Sequence, residues 1–184
     1  DLSQVSNTPE HSDALIKGLM DSGARAIYAY SRGSGDGARW PGDVERLQKQ
    51  HFSSTDQLVT LALGTAVNKD QWLLARRFGL RIFTHVVGGN RGLGPEDVVK
   101  LGDEGLMGPD NVYIHFTGAT NDQMRRVKDT GGWLSIACPI EMAMRHGMPP
   151  IQQALDAGIR PSLSSDVETT MAADMFTQMR SVFT

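Results

Sequence analysis

Three times the chain passes from a helix-like stretch into a strand-like stretch through Gly, an apolar residue and Arg: Ser22-Gly23-Ala24-Arg25, Phe78-Gly79-Leu80-Arg81 and Ala157-Gly158-Ile159-Arg160. Each glycine fits the left-handed position that stops a helix. The apolar residue then enters the core, and the Arg stands at the N-terminal end of the strand. A joint repeated in this way marks successive βα units, and strands separated by helices favour a parallel sheet. The flanking stretches agree. Thr8 is an N-cap with Pro9 at the first helical position, so 9–22 reads as a helix. Further helices read over 44–51, 68–78, 95–101, 120–128 and 151–157, and strands over 24–30, 58–64, 80–86, 111–117, 133–138 and 159–166. Segment 139–150, with Met142, Met144 and Met148, reads as irregular, and 171–183 as amphipathic helix. A (β/α)8 barrel has eight strands and about 250 residues. A chain of 184 residues with about six βα units therefore reads as α/β, an incomplete TIM-like barrel of parallel strands with both ends cut.

Composition excludes several classes. A net charge of -3 gives no reason to expect nucleic acid or an anionic membrane as partner. No apolar run approaches the roughly 18 residues of a membrane span, and the N-terminus lacks the basic and apolar regions of a signal peptide. Cys138 is the single cysteine, so no internal disulfide is possible. The expected compartment is the cytoplasm, and the expected partner a small-molecule substrate.

The chemistry concentrates at three strand ends: Arg81-Ile-Phe-Thr-His85, Val112-Tyr-Ile-His115 and Arg160-Pro-Ser-Leu-Ser-Ser-Asp166. Alternate strand residues share a face, so His85 goes with Phe83, His115 with Tyr113, and Asp166 with Ser164. Any one of these histidines alone reads as a packed histidine. Three metal-capable side chains at equivalent strand ends read as the C-terminal mouth of a βα protein, where active sites are built. Two imidazoles and a carboxylate suit a borderline divalent ion such as zinc, with iron as the second choice. Such an ion lowers the pKa of bound water, and a nearby carboxylate can take its proton. The other candidates are weaker. Gly88 to Gly94 matches no phosphate-loop spacing and reads as a βα loop. Trp40, beside Arg39 in the glycine-rich segment 31–42, and His146, between Met144 and Met148, are candidate substrate contacts. Cys138 reads as a buried structural thiol, His51 as solvent-facing and His11 as a helix-surface residue.

The order His85, His115, Ser164-Ser165-Asp166 resembles strands five, six and eight of the amidohydrolase superfamily, in its cytosine deaminase, S-adenosylhomocysteine deaminase and triazine chlorohydrolase branch. Cys138-Pro139-Ile140-Glu141-Met142, followed by 147–158, resembles that branch's seventh strand and the connection after it, and 1–29 the stretch after its second strand. The resemblance implies a distorted (β/α)8 barrel with one divalent metal. It implies that His85 ligates the metal, that Asp166 ligates it and acts as general base, and that His115 orients hydroxide or polarises substrate. Glu141 joins Trp40 and His146 as a candidate substrate contact. The implied reaction is hydrolytic displacement of an amine or another leaving group from an electron-poor carbon.

Two departures bear on that expectation. The branch's His-x-His pair on strand one, and its flanking small β domain, have no counterpart in residues 1–184, so the metal could be absent. The deaminases carry Glu three residues after the fifth-strand His, where this chain has Gly88. Two functions stay open: part of a metal-dependent hydrolase, or a barrel-derived binding or scaffold module without catalysis. An incomplete barrel exposes strand edges, so a homo-oligomer is expected.

Overall fold

The structure, a computed structural model, describes residues 1–88, 93–169 and 172–183. Seven strands alternate with eight helices among them: β1 Leu2–Ser3, α1 Pro9–Asp21, β2 Ala26–Tyr30, α2 Val44–His51, β3 Val59–Thr65, α3 Lys69–Arg77, β4 Ile82–Val86, α4 Pro95–Asp103, β5 Asn111–His115, α5 Asn121–Asp129, β6 Trp133–Ile136, α6 Cys138–Ala143, α7 Ile151–Asp156, β7 Ser162–Leu163 and α8 Met175–Phe183. The strands follow chain order in the sheet, β1 to β7. β1 with β2, β2 with β3, β5 with β6 and β6 with β7 pair in parallel. This is the strand order of a (β/α) barrel, here a partial one, and it bears out the fold expected from the repeated joints. The three joint glycines adopt φ of +66° at Gly23, +67° at Gly79 and +74° at Gly158, values that favour a residue without Cβ.

Two compact units divide the chain, residues 1–65 with 70–83 and residues 66–69 with 84–184. In the first, Ile16, Tyr28, Tyr30, Leu47, Leu63, Trp72 and Ile82 are fully buried. Burial of each of the aliphatic ones, Ile16, Leu47, Leu63 and Ile82, is worth about 1.5–3 kcal/mol. Thr8 caps α1 by accepting from the His11 N–H at 3.3 Å. Arg46 on α2 bonds both Asp13 on α1, at 2.8 Å, and Asp43, at 2.7 Å, which clamps the two helices together. In the second, Val98, Tyr113, Phe116, Met124, Val127, Ile136 and Ile140 form the core. α5 opens on a capping box in which the Thr120 side chain accepts from the Gln123 N–H and the Gln123 side chain accepts from the Thr120 N–H.

Four local expectations are corrected. The described residues hold seven strands, because Leu2–Ser3 pairs with Ala29 and Tyr30. A strand of two residues has no alternation to read. The last strand is Ser162–Leu163 rather than 159–166, and it is prolonged only by the Ser164 N–H, which donates to Ile136 O at 2.8 Å. The segment after β6 is helical over Cys138–Ala143, with Pro139 in the first turn, where proline is tolerated. Cys138 therefore opens a helix instead of ending a strand; its buried thiol donates to Ser181 O at 3.4 Å. His51 is not solvent-facing: its Nε2 lies 2.8 Å from Asp13 Oδ1 and its side chain is 18% exposed.

Candidate active site at the strand ends

β4, β5 and β7 deliver His85, His115 and Asp166, all within the second unit. His115 ends β5 at φ +71°, and Phe116 follows at +53°. Two consecutive non-glycine residues in the left-handed region are costly, about 1–2 kcal/mol each. Their side chains make the turn tolerable. Phe116 is fully buried against Tyr113, ring centroids 5.4 Å apart, and its N–H donates to Ile114 O at 3.0 Å. Asp166 also sits in the left-handed region, at φ +58°, with its N–H donating to Ser164 Oγ at 3.0 Å. Asp is one of the few side chains that tolerate this conformation. Strained backbone at two of the three predicted positions is what functional sites tend to carry.

The side chains form one cluster. The His85 and His115 ring centroids are 5.6 Å apart, and those of His115 and His146 are 4.9 Å apart, edge to face. His115 Nε2 lies 3.8 Å from Asp166 Oδ2. His115 Nδ1 lies 3.1 Å from Glu141 Oε1. His115 is 2% exposed and Glu141 is fully buried. Glu141, a candidate substrate contact by sequence, thus faces His115. Trp40 lies in the first unit, where its indole N–H donates to Tyr30 O at 3.1 Å.

Thr117, which the sequence did not single out, ties the loops together. Its buried hydroxyl donates to His146 O at 2.7 Å and accepts from the Gly88 N–H at 3.2 Å. Gly88 is forced by this approach. A Cβ there would stand 2.4 Å from Thr117 O and 3.1 Å from Gly118 Cα. The nearest signal in the sequence is a Gly two residues beyond β4. Residues 89–92 of the glycine-rich loop lie outside the described residues.

Burial, and then the neighbouring His115 ring, push His85 down to about 4; Asp166 opposes and His146 adds to the effect. The imidazole is neutral at pH 7, with a lone pair to give. An ordinary histidine titrates near 6.5. Between these values the unfolded chain binds more protons than the folded one, so stability falls as pH drops through that window. The expected loss is roughly 2–3 kcal/mol, complete below the folded value. Urea unfolding of the chain and of His85→Gln, at about pH 7 and about pH 4, should show the wild type losing more stability than the variant. Parallel losses would remove His85 as the cause.

Two imidazoles and a carboxylate are donors that zinc accepts, but a catalytic zinc takes three protein ligands. Among the described residues no group of three or more His, Cys, Asp or Glu is placed to hold a metal ion. His115 has Nδ1 against Glu141 and Nε2 towards Asp166, which leaves His85 and Asp166 as the donors on offer. These residues alone do not make a metal site. What they do offer is a buried imidazole placed between two carboxylates, a geometry that can hold and pass a proton.

No protein-family model and no curated protein matches the sequence. Solved structures do match. One is a mutant of atrazine chlorohydrolase TrzN from Arthrobacter aurescens TC1, complexed with zinc and atraton, with 22% identity over 89% of this chain and 44% of that chain and a TM-score of 0.65. A second is an adenosine deaminase from Xanthomonas campestris with bound zinc, with 16% identity, 86% and 39% coverage and a TM-score of 0.66. A third is an amidohydrolase from an environmental sample of the Sargasso Sea, with 19% identity, 83% and 39% coverage and a TM-score of 0.63. The chain therefore spans less than half the length of each. At these identities the match shows a shared fold. No described helix is long and apolar enough to cross a membrane.

Proposed function

We propose that residues 1–184 are a partial amidohydrolase-type barrel domain of a metal-dependent hydrolase. Its substrate is a small nitrogen heterocycle, and the bond broken is C–N or a similar bond to a leaving group. The observation that carries this reading is the convergence of His85, His115 and Asp166 from three strand ends, with His115 Nε2 3.8 Å from Asp166 Oδ2. The neighbours' names, atrazine chlorohydrolase and adenosine deaminase, support the substrate class. The zinc in two of them supports the metal. In this reading His85 and Asp166 contribute two donors, and the remaining donors come from outside the described residues. His115 and Asp166 hold and transfer the proton of the reaction. His146 is a candidate substrate contact.

The experiment is elemental analysis together with hydrolysis assays on a panel of s-triazines and aminopurines, using the longest natural form of the protein. Bound divalent metal and metal-dependent turnover are expected. Absence of both would reject the reading in favour of a binding or scaffold module, which the two-donor count and Gly88 favour. The 184-residue chain by itself is expected to keep well under one zinc per chain after dialysis. Stoichiometric zinc that survives His85→Ala would contradict the donor assignment.

We infer self-association as well. α8 exposes Met175 at 46%, Phe176 at 68%, Met179 at 41% and Phe183 at 92%, large apolar side chains gathered on one helix, the kind of surface that marks an interaction site. Light scattering should give a mass above that of one chain, falling towards it on Phe176→Glu. A strictly monomeric wild type at high concentration would contradict this.

A further inference from the structure

We propose that Glu141 is a positioning residue: a buried carboxylate that takes the Nδ1–H of His115 and thereby turns Nε2 of the same ring towards Asp166. Glu141 Oε1 lies 2.8 Å from the Ala137 N and 3.1 Å from His115 Nδ1. A backbone N–H only donates. Oε1 is therefore an acceptor, fixed by the protein's own main chain before His115 is considered. An imidazole nitrogen set against an acceptor carries the proton. The ring then presents Nε2, 3.8 Å from Asp166 Oδ2, as the nitrogen free to take or return a proton.

The local fold explains why this carboxylate is fixed. Ala137 is the N-cap of α6, and its own small side chain offers no capping bond. The Glu141 side chain folds back along the first turn to the Ala137 N–H, while the Glu141 N–H donates to Ala137 O at 3.0 Å. The Glu141 O in turn accepts from the His146 N–H at 2.8 Å. One residue thus joins the helix start, the His115 ring and the segment that brings His146 against that ring. The second oxygen, Oε2, is buried without a hydrogen-bond partner. Structural helix capping alone would be met by an exposed side chain at lower cost, because burying a carboxylate is expensive unless it is paired. His115 is the pairing that the burial serves.

The catalytic meaning of Nε2 rests on the hydrolase reading; the tautomer does not. The chain, with nitrogen-15 in its histidines, is measured by two-bond proton–nitrogen correlation near neutral pH, and His115 is identified by the signal lost in His115→Asn. Wild type is expected to show Nδ1 protonated. Glu141→Gln, whose amide oxygen still accepts, keeps that state. Glu141→Leu moves most of the population to the Nε2–H tautomer, the ordinary one of a free imidazole. A wild type with unprotonated Nδ1, or an unchanged tautomer in Glu141→Leu, overturns the proposal. Should Glu141→Leu fail to fold by circular dichroism, the wild-type and Glu141→Gln spectra decide alone: Nδ1–H in both supports it, and unprotonated Nδ1 in the wild type overturns it. Absent hydrolysis with Nδ1–H present would sink the hydrolase reading and leave Glu141 as the group that sets the His115 tautomer.

Discussion

If the proposed hydrolase reading holds, Asp166→Asn in the longest natural form of the protein is expected to lower kcat by about 10²–10⁴-fold, the contribution of a positioned acid–base group, while leaving the fold intact. The choice of Asn follows from the backbone. Asp166 is at φ +58°, where Asn is as comfortable as Asp and alanine is strained. Asparagine keeps the size and the hydrogen bond from the Asp166 N–H to Ser164 Oγ at 3.0 Å, so the change isolates the charge. His115→Asn follows the same logic, because His115 is at φ +71°. If the two residues pass one proton between them, the double variant should lose little more than the worse single variant, since groups acting as a unit are not additive. Independent roles would give the product of the two losses. An Asp166→Asn enzyme within about tenfold of wild type, well short of the acid–base range, would remove Asp166 from the chemistry.

What was readable in the sequence was whatever depends on short spacing. The joint glycines 23, 79 and 158 were legible because a helix stop needs a left-handed residue and glycine supplies it. The positions of His85 and His115 were legible because side chains alternate along a strand. Their burial and contacts were not. The Glu141 partner is 26 residues away from it in sequence, and nothing local to Cys138-Pro139-Ile140-Glu141 says that the carboxylate folds back onto its own helix start. The same holds for His51, whose partner Asp13 lies 38 residues upstream. Segment 139–150 misled in the opposite direction: it reads as irregular, yet its start is helical, with Pro139 in the first turn. The left-handed turn at His115 and Phe116 had no glycine or asparagine to announce it. It accompanies the packing of the buried Phe116 ring on Tyr113 three residues before it, a contact that the identity of these two residues alone does not announce.

Gly88→Ala is expected to destabilise the chain by about 1–3 kcal/mol, the range for forcing extra atoms into a filled site, and Gly88→Glu by at least as much. The resemblance to deaminases makes Gly88→Glu the obvious attempt to install their acid. The geometry opposes it at the first carbon. A Cβ on residue 88 would meet Thr117 O at 2.4 Å, Thr117 C at 3.0 Å and Gly118 Cα at 3.1 Å. These are main-chain atoms, so no rotamer change relieves the contact; the loop after β5 would have to move. That loop begins directly after His115, and its Thr117 hydroxyl bonds both the Gly88 N–H and His146 O. Displacing it disturbs the His115–His146 arrangement that the added acid was meant to serve. Thr117→Ala is the informative partner. It deletes both hydroxyl bonds yet leaves the carbonyl in place, so it should not rescue Gly88→Ala. Urea unfolding of the two single variants and the double variant reads this directly. A Gly88→Ala protein as stable as wild type would mean that the two loops yield without cost, and that an acid at position 88 is open to this fold after all.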